Sequence, residues 1–247
     1  MSRLQSFSPP LRCAVIGASG GIGAALTAAL LDDPQVATVH ALCRRPPAAA
    51  GRGLFWSTID IADEASIAAA AATVGAEGPL DLVVVATGVL HDAVAQPEKR
   101  WEQLAGDVLA HLFAVNAIGP ALCARHFLPL LRTDAKAVFA ALSARVGSIG
   151  DNRAGGWYGY RASKAALNML LKTFALELAR RRPRAICVGL HPGTVDTSLS
   201  APFQQRVAAD RLFTPGYAAG RLLDVIDRLG TAESGLVFAW DGSPVPP

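Results

Sequence analysis

Tyr160 and Lys164 close the stretch SARVGSIGDNRAGGWYGYRASK, residues 143–164. On a helix that spacing puts both side chains on one face, one turn apart. Tyrosine has an ordinary pKa of ~10 and is a poor acid or base at neutral pH. A lysine ammonium one turn away stabilises the tyrosinate and brings that value down. The same ammonium can hold a sugar hydroxyl. Ser143 ends an apolar run, where a hydroxyl facing the helix can bond a substrate oxygen and steady developing charge. Asn116 sits in a helical stretch and could hold the lysine or a water in a proton relay, or simply bond the backbone. Hydroxyls beside an ammonium suggest carbonyl–alcohol chemistry.

The elements around these residues have to bring them together. Residues 11–16 form an apolar run suited to a buried strand, and Gly17, Ala18, Ser19, Gly20, Gly21, Ile22 and Gly23 follow at once. Residues 24–31 are good helix formers, stopped by Asp32-Asp33-Pro34. Glycines between a strand and a helix let the backbone approach a pyrophosphate, which then sits on the helix N-terminus. The second strand, 36–43, is followed by Arg44 and Arg45. An acidic residue there suits the ribose of NAD, whereas arginine suits the 2′-phosphate of NADP, so NADP(H) is favoured over NAD(H).

Further strands are read at 54–59, 80–86, 137–142, 185–190 and 236–240. Helices are read at 63–74, from 98 with a break into 108–131, at 158–182, and from Thr214-Pro215 to 229. Strands and helices alternate and the strands are continuously apolar, so the fold class is α/β, a doubly wound parallel sheet with helices on both faces. Residues 1–10 read as a loose arm and 11–247 as one domain. Gly17, the Ala86-Thr87-Gly88 turn, Ser143, and His191 with Pro192 and Gly193 all fall just after strands, the edge where ligands bind in such sheets.

Composition excludes other classes. With 51% hydrophobic and 17% charged residues the chain is no disordered segment, and a net charge of +3 with scattered basic residues is no nucleic-acid footprint. Arg180-Arg181-Arg182 reads as a solvated helix end. Cys13, Cys43, Cys123 and Cys187 lie in apolar runs without metal-ligand spacing, so no metal is expected. The N-terminus has no signal-peptide core, and no membrane-spanning run is free of polar interruption, which makes a cytoplasmic protein the expectation.

The motifs GASGGIG, Asp60-Ile61, VNAIGP around Asn116, Ser143, Tyr160-x-x-x-Lys164 and PGTVDT occur in the order found in short-chain dehydrogenases/reductases. The chain resembles that family from about residue 11 to 242. The pattern over 143–168 is similar to the branch of C-factor-like and sniffer-type carbonyl reductases. The resemblance implies a Rossmann sheet of about seven strands and a catalytic tetrad of Asn116, Ser143, Tyr160 and Lys164. It places Asp60 and Ile61 against the adenine, and Val195 and Thr197 at the nicotinamide carboxamide. Ile16 and Val85-Ala86-Thr87 depart from the family, which has threonine before the first glycine and Asn-Asn-Ala-Gly after the fourth strand. The residues lost there help hold the cofactor loops.

The expected activity is NAD(P)(H)-dependent interconversion of a carbonyl and an alcohol. A cofactor-binding signalling protein with little turnover, and an epimerase or dehydratase, are the alternatives. A short lid at 198–213 carries Leu199, Phe203, Val207 and Phe213; with Val89, Leu90, Ile149 and Trp157 it points to a small apolar substrate or to plain packing. Residues 149–157 are expected to border the substrate. His91 and His191 are expected to be structural. By analogy with similar proteins, the long helices suggest a homodimer or homotetramer.

Overall fold

The computed structural model describes residues 2–47 and 51–247. Seven parallel strands form the central sheet: β1 (Leu11–Ile16), β2 (Val36–Cys43), β3 (Leu54–Thr58), β4 (Leu82–Val85), β5 (Ala137–Leu142), β6 (Ala185–His191) and, last in the chain, β9 (Val237–Ala239). Their order is β3-β2-β1-β4-β5-β6-β9. The direction of winding reverses between β1 and β4, so a crevice opens at the C-terminal ends of those strands. A small ladder, β7 (Thr194–Val195) with β8 (Leu212–Phe213), closes the base of the lid.

Strand side chains alternate between two cores, as the two-residue period requires. Val15 faces one core and Ala14 and Ile16 the other. The first core is covered by α1 (Gly21–Leu31) and α6 (Pro215–Arg228), with Leu26, Leu30, Leu222 and Ile226 buried. The second is covered by α2 (Glu64–Gly75), α4 (Gly119–Phe127) and α5 (Tyr158–Arg181). Before α4 the chain runs through α3 (Gly106–Phe113) and one wide turn, Ala114–Ile118, with i→i+5 bonding. The single helix expected over 108–131 is thus interrupted at Asn116, and such wide turns mark functional positions. The stretch Gly106–Leu130 is long and apolar enough to cross a bilayer by those measures alone. Here it packs on α5, where Asn116 bonds Ser163.

Residues 2–10 are no loose arm; Met1 lies outside the described residues. Leu4 and Phe7 are buried in the α1/α6 core. Asp33 accepts from Ser2 Oγ and the Arg3 N–H, and Asp227 accepts from the Ser6 N–H. Polar residues and two prolines hid two apolar anchors. Of the three arginines at the end of α5, Arg182 does more than face water, since it donates to the carbonyls of Pro129 and Leu131.

The departures at β1 and β4 belong together. Ile16 pairs with Val85 in register, and both are buried. Apolar packing therefore joins the two strands on either side of the crevice where the family has polar side chains.

Candidate active site

The glycine turn is built by backbone crowding. Gly17 has φ +88°, and a Cβ there would meet Thr87 Cγ2 at 2.9 Å. A Cβ on Gly23 would come within 2.1 Å of Gly17 O. Close packing of α1 on the turn points the N–H groups of Gly21, Ile22 and Gly23, unpaired within the helix, at the crevice. Gly20 caps the helix without a side-chain hydrogen bond, so a ligand meets bare donors.

A cavity of about 430 Å³ runs along this turn. Gly17, Ser19, Arg44, Asp60, Ile61, Ala86, Thr87 and Gly88 line it. Arg44 reaches the cavity and is exposed, whereas Arg45 is exposed and outside its lining. Thr87 Oγ1 is buried and has no hydrogen-bond partner among the described residues. An orphaned hydroxyl, bare helix donors and glycines with no room for a Cβ fit a bound dinucleotide. Gly17 to Gly23 would hold its phosphates, and Arg44 a 2′-phosphate.

The cavity continues over Gly21, Ile22, Gly88, Ser143, Tyr160, Lys164, Pro192 and Thr197. It then opens into an apolar chamber of about 250 Å³ that includes Gly193 and Val195 in its walls. Apart from Gly23, Arg45 and Asn116, every residue named from sequence as catalytic or cofactor-binding lines one of these three spaces.

Burial, not the neighbouring ammonium, governs Tyr160 and Lys164. Burial pushes the tyrosine up to about 12 and the lysine down to about 8. The expected lowering of Tyr160 by Lys164 is therefore absent from this state. Lys164 Nζ donates to Leu142 O at 2.7 Å and stands 5.9 Å from the Tyr160 ring centre. At neutral pH Tyr160 holds its proton and is ready to act as an acid.

Asn116 is fully buried, and its amide is committed to three hydrogen bonds. Val89 N–H donates to its Oδ1 at 2.9 Å, while Nδ2 donates to Val89 O at 2.8 Å and Ser163 Oγ at 3.2 Å. Its side chain therefore clamps the loop after β4 to α5 and makes no hydrogen bond to Lys164. Ser143 Oγ donates to Asn168 Oδ1 at 2.6 Å. Asn168 is not among the residues named from sequence, although it follows Tyr160 and Lys164 at the next i+4 step on the same face of α5.

The chamber walls include Leu90, Val146, Trp157, Leu199, Phe203 and Val207. Three expected wall residues lie elsewhere. Val89 faces the first cavity, Phe213 packs on Tyr217 and Trp240, and Ile149 is 78% exposed. Of residues 149–157 only Trp157 reaches the chamber; Ile149, Asn152, Gly155 and Gly156 border a separate outer groove. The loop turns away before it can cover the site. His91 is structural, as expected, because Nε2 lies 3.2 Å from the carbonyls of both Ser198 and Leu199 and so carries the hydrogen that pins the lid. His191 lines the chamber, and burial pulls its pKa down to about 4, helped by the Arg145 charge, which leaves a neutral ring.

Known proteins resemble this arrangement over most of the chain. The short chain dehydrogenase family profile matches residues 12–208. The C-signal protein of Myxococcus xanthus is 36% identical over 174 residues, which is 68% of this chain and 93% of the relative. The 1-hydroxy-2-glutathionyl-2-methyl-3-butene dehydrogenase of Rhodococcus sp. (strain AD45) is 32% identical over 231 residues, covering 93% of this chain and 96% of the relative. NADPH-bound carbonyl reductase from chicken fatty liver superposes with a TM-score of 0.83 at 25% identity, covering 99% of this chain and 98% of that one. The carbonyl reductase Sniffer of D. melanogaster has the same fold, with a TM-score of 0.83 at 23% identity over 97% of this chain and 100% of that one.

Proposed function

This chain belongs to the short-chain dehydrogenase family of oxidoreductases, and on that premise we propose that it is an NADP(H)-dependent carbonyl reductase acting on small apolar aldehydes or ketones. One observation carries the reading. A protonated Tyr160 and Ser143 line both the inner cavity, which runs on from the glycine turn, and the apolar chamber.

A nicotinamide cofactor held along the glycine turn would supply or accept the hydride. Tyr160 gives its phenolic proton to the carbonyl oxygen during reduction and takes it back during oxidation. Lys164, charged below pH of about 8, would hold a ribose hydroxyl of the cofactor and stabilise the tyrosinate left behind. Ser143 bonds the carbonyl oxygen once Asn168 turns its amide, so that Asn168 Nδ2 donates to Ser143 Oγ and frees the serine proton. Asn116 keeps the β4 loop and α5 in register, which fixes the wall opposite Lys164. Leu90, Phe203 and Val207 exclude water from the reacting atoms. Val195 and Thr197 would hold the carboxamide, and Asp60 and Ile61 the adenine.

Arg44 at the end of β2 supports NADP(H) over NAD(H). The NADPH-bound state of the chicken reductase points the same way. Exposed Ile118, and Met169 and Leu176 on α5, support a homodimer or homotetramer. A cytoplasmic location remains part of the proposal.

The test is oxidation of NADPH and of NADH against a panel of aldehydes and ketones, in the parent and in Arg44→Ala. The reading expects turnover with NADPH and a loss of NADPH affinity of about tenfold in Arg44→Ala, with NADH little changed, the size of one lost charge-assisted contact. NADPH binding with no turnover on any member of the panel would support a non-catalytic role instead.

A further inference from the structure

Among the described residues Trp157 is the one non-glycine at positive φ, 53°. Gly155 and Gly156 precede it at 63° and 64°. Three left-handed residues in succession turn the chain sharply and deliver the indole to the chamber wall. Glycine accepts that conformation freely; tryptophan does not, and it persists only where surrounding contacts impose it.

Glu98 imposes it. Its carbonyl accepts the Trp157 N–H, and both carboxylate oxygens lie 3.3 Å from the Gly159 N–H. The residue is 4% exposed, so a buried carboxylate sits on the N-terminus of α5, where the helix dipole favours it. Arg161 Nε closes the turn from the other side by donating to Gly156 O at 3.0 Å. The space beneath is filled: a Cβ on Gly159 would come within 2.5 Å of Leu112 Cδ1.

The indole so placed meets the lid and the catalytic ring at once. Its ring centre lies 5.1 Å from that of Phe203 and 6.3 Å from that of Tyr160, edge to face with the tyrosine. The chamber it bounds, about 250 Å³, is below the ~300–1,000 Å³ of sites that take drug-sized ligands.

We propose that Trp157 sets the size limit of the substrate chamber and that Glu98 is its positioning residue, holding the left-handed backbone that aims the indole. The favoured substrates are carbonyls on a single ring or a short chain, and fused-ring carbonyls are turned away by the indole. This inference rests on the carbonyl reductase reading of the site.

Trp157→Gly is the informative variant, because glycine keeps the left-handed backbone while removing the wall. Parent and variants are compared with benzaldehyde, a naphthaldehyde and an anthraldehyde as substrates, and with the matching arylmethanols as ligands in NMR titrations. In Trp157→Gly the ratio of kcat/KM for the naphthaldehyde over benzaldehyde rises about tenfold or more, the scale of discrimination that an apolar wall provides. Glu98→Ala moves the same ratio in the same direction. Glu98→Gln, whose amide oxygen still accepts from Gly159, stays with the parent. An unchanged ratio and unchanged arylmethanol affinities in Trp157→Gly overturn the size limit. A shift in Trp157→Gly with none in Glu98→Ala removes Glu98 from the account. If the parent reduces no aldehyde but Trp157→Gly gains affinity for the naphthyl alcohol, the reductase reading fails while the size limit stands.

Discussion

The two halves of the crevice are built from different materials. The half around Gly17 and Gly23 is made of backbone: helix N–H groups and glycines pressed so close that a Cβ would reach within 2.1 Å of a carbonyl oxygen. The half around Tyr160 is made of side chains, several of them buried and each held by a partner far away in sequence. Asn116 grips Val89, Ser143 leans on Asn168, and Glu98 holds Trp157 and Gly159. A ligand common to a whole family can be held by backbone, which any chain supplies. A particular substrate has to be met by particular side chains, and those need support of their own.

If this division is right, a single methyl group in the backbone half does the widest damage. Gly23→Ala forces α1 away from Gly17, and we expect NADPH affinity to fall about 100-fold, together with a loss of stability of about 1–3 kcal/mol, the usual cost of overpacking. Calorimetric titration and thermal melting would measure both; a variant that binds NADPH like the parent would break the contrast.

In the side-chain half the largest structural effect belongs to Asn116→Ala. Val89 would lose partners for both its N–H and its C=O, for a cost of about 2–4 kcal/mol. Movement of the β4 loop away from α5 should lower turnover about 100-fold, the scale of a small misplacement of reacting groups. Urea unfolding and steady-state kinetics on the same preparation would check the pairing of the two losses.

The smallest effect is a pH limb. Burial holds Lys164 at about 8, below the ordinary lysine value of 10.5. The ammonium is therefore present below that pH and lost as the pH rises through it. We expect kcat/KM for reduction to fall several-fold above pH of about 8, and the limb to vanish in Lys164→Arg, whose charge does not titrate there. Between about 8 and 10.5 the unfolded chain binds the proton that folded Lys164 has released. Stability from this group therefore rises with pH across that window. Lys164→Met should accordingly stabilise the fold more at low pH than above the window, and equal changes in melting temperature on both sides would contradict the assignment.

The same contrast explains which features are legible in the sequence. Backbone-built features leave short, local signatures, so the glycine turn, the Arg44 strand end and all seven sheet strands were legible to within a residue or two. Tyr160 and Lys164 were legible because helical spacing is itself local. Asn168 sat on the same spacing and was passed over, since its work is done on Ser143, 25 residues away. Glu98 left no local mark at all: a glutamate after a proline looks like surface, and only its distance of 61 residues from Gly159, closed by folding, makes it a cap. Ile149 failed for the opposite reason. Nearness to the site in sequence suggested nearness in space, but the left-handed turn at 155–157 carries only Trp157 inward.

The proton-transfer claim is tested most directly by one paired experiment on Tyr160→Phe: NADPH binding by calorimetry and reduction of benzaldehyde by the same sample. Removing one hydroxyl from the side-chain half should leave NADPH affinity within about threefold of the parent and cut turnover about 1,000-fold, as loss of a general acid does. Turnover at the parent's rate in Tyr160→Phe would contradict the account.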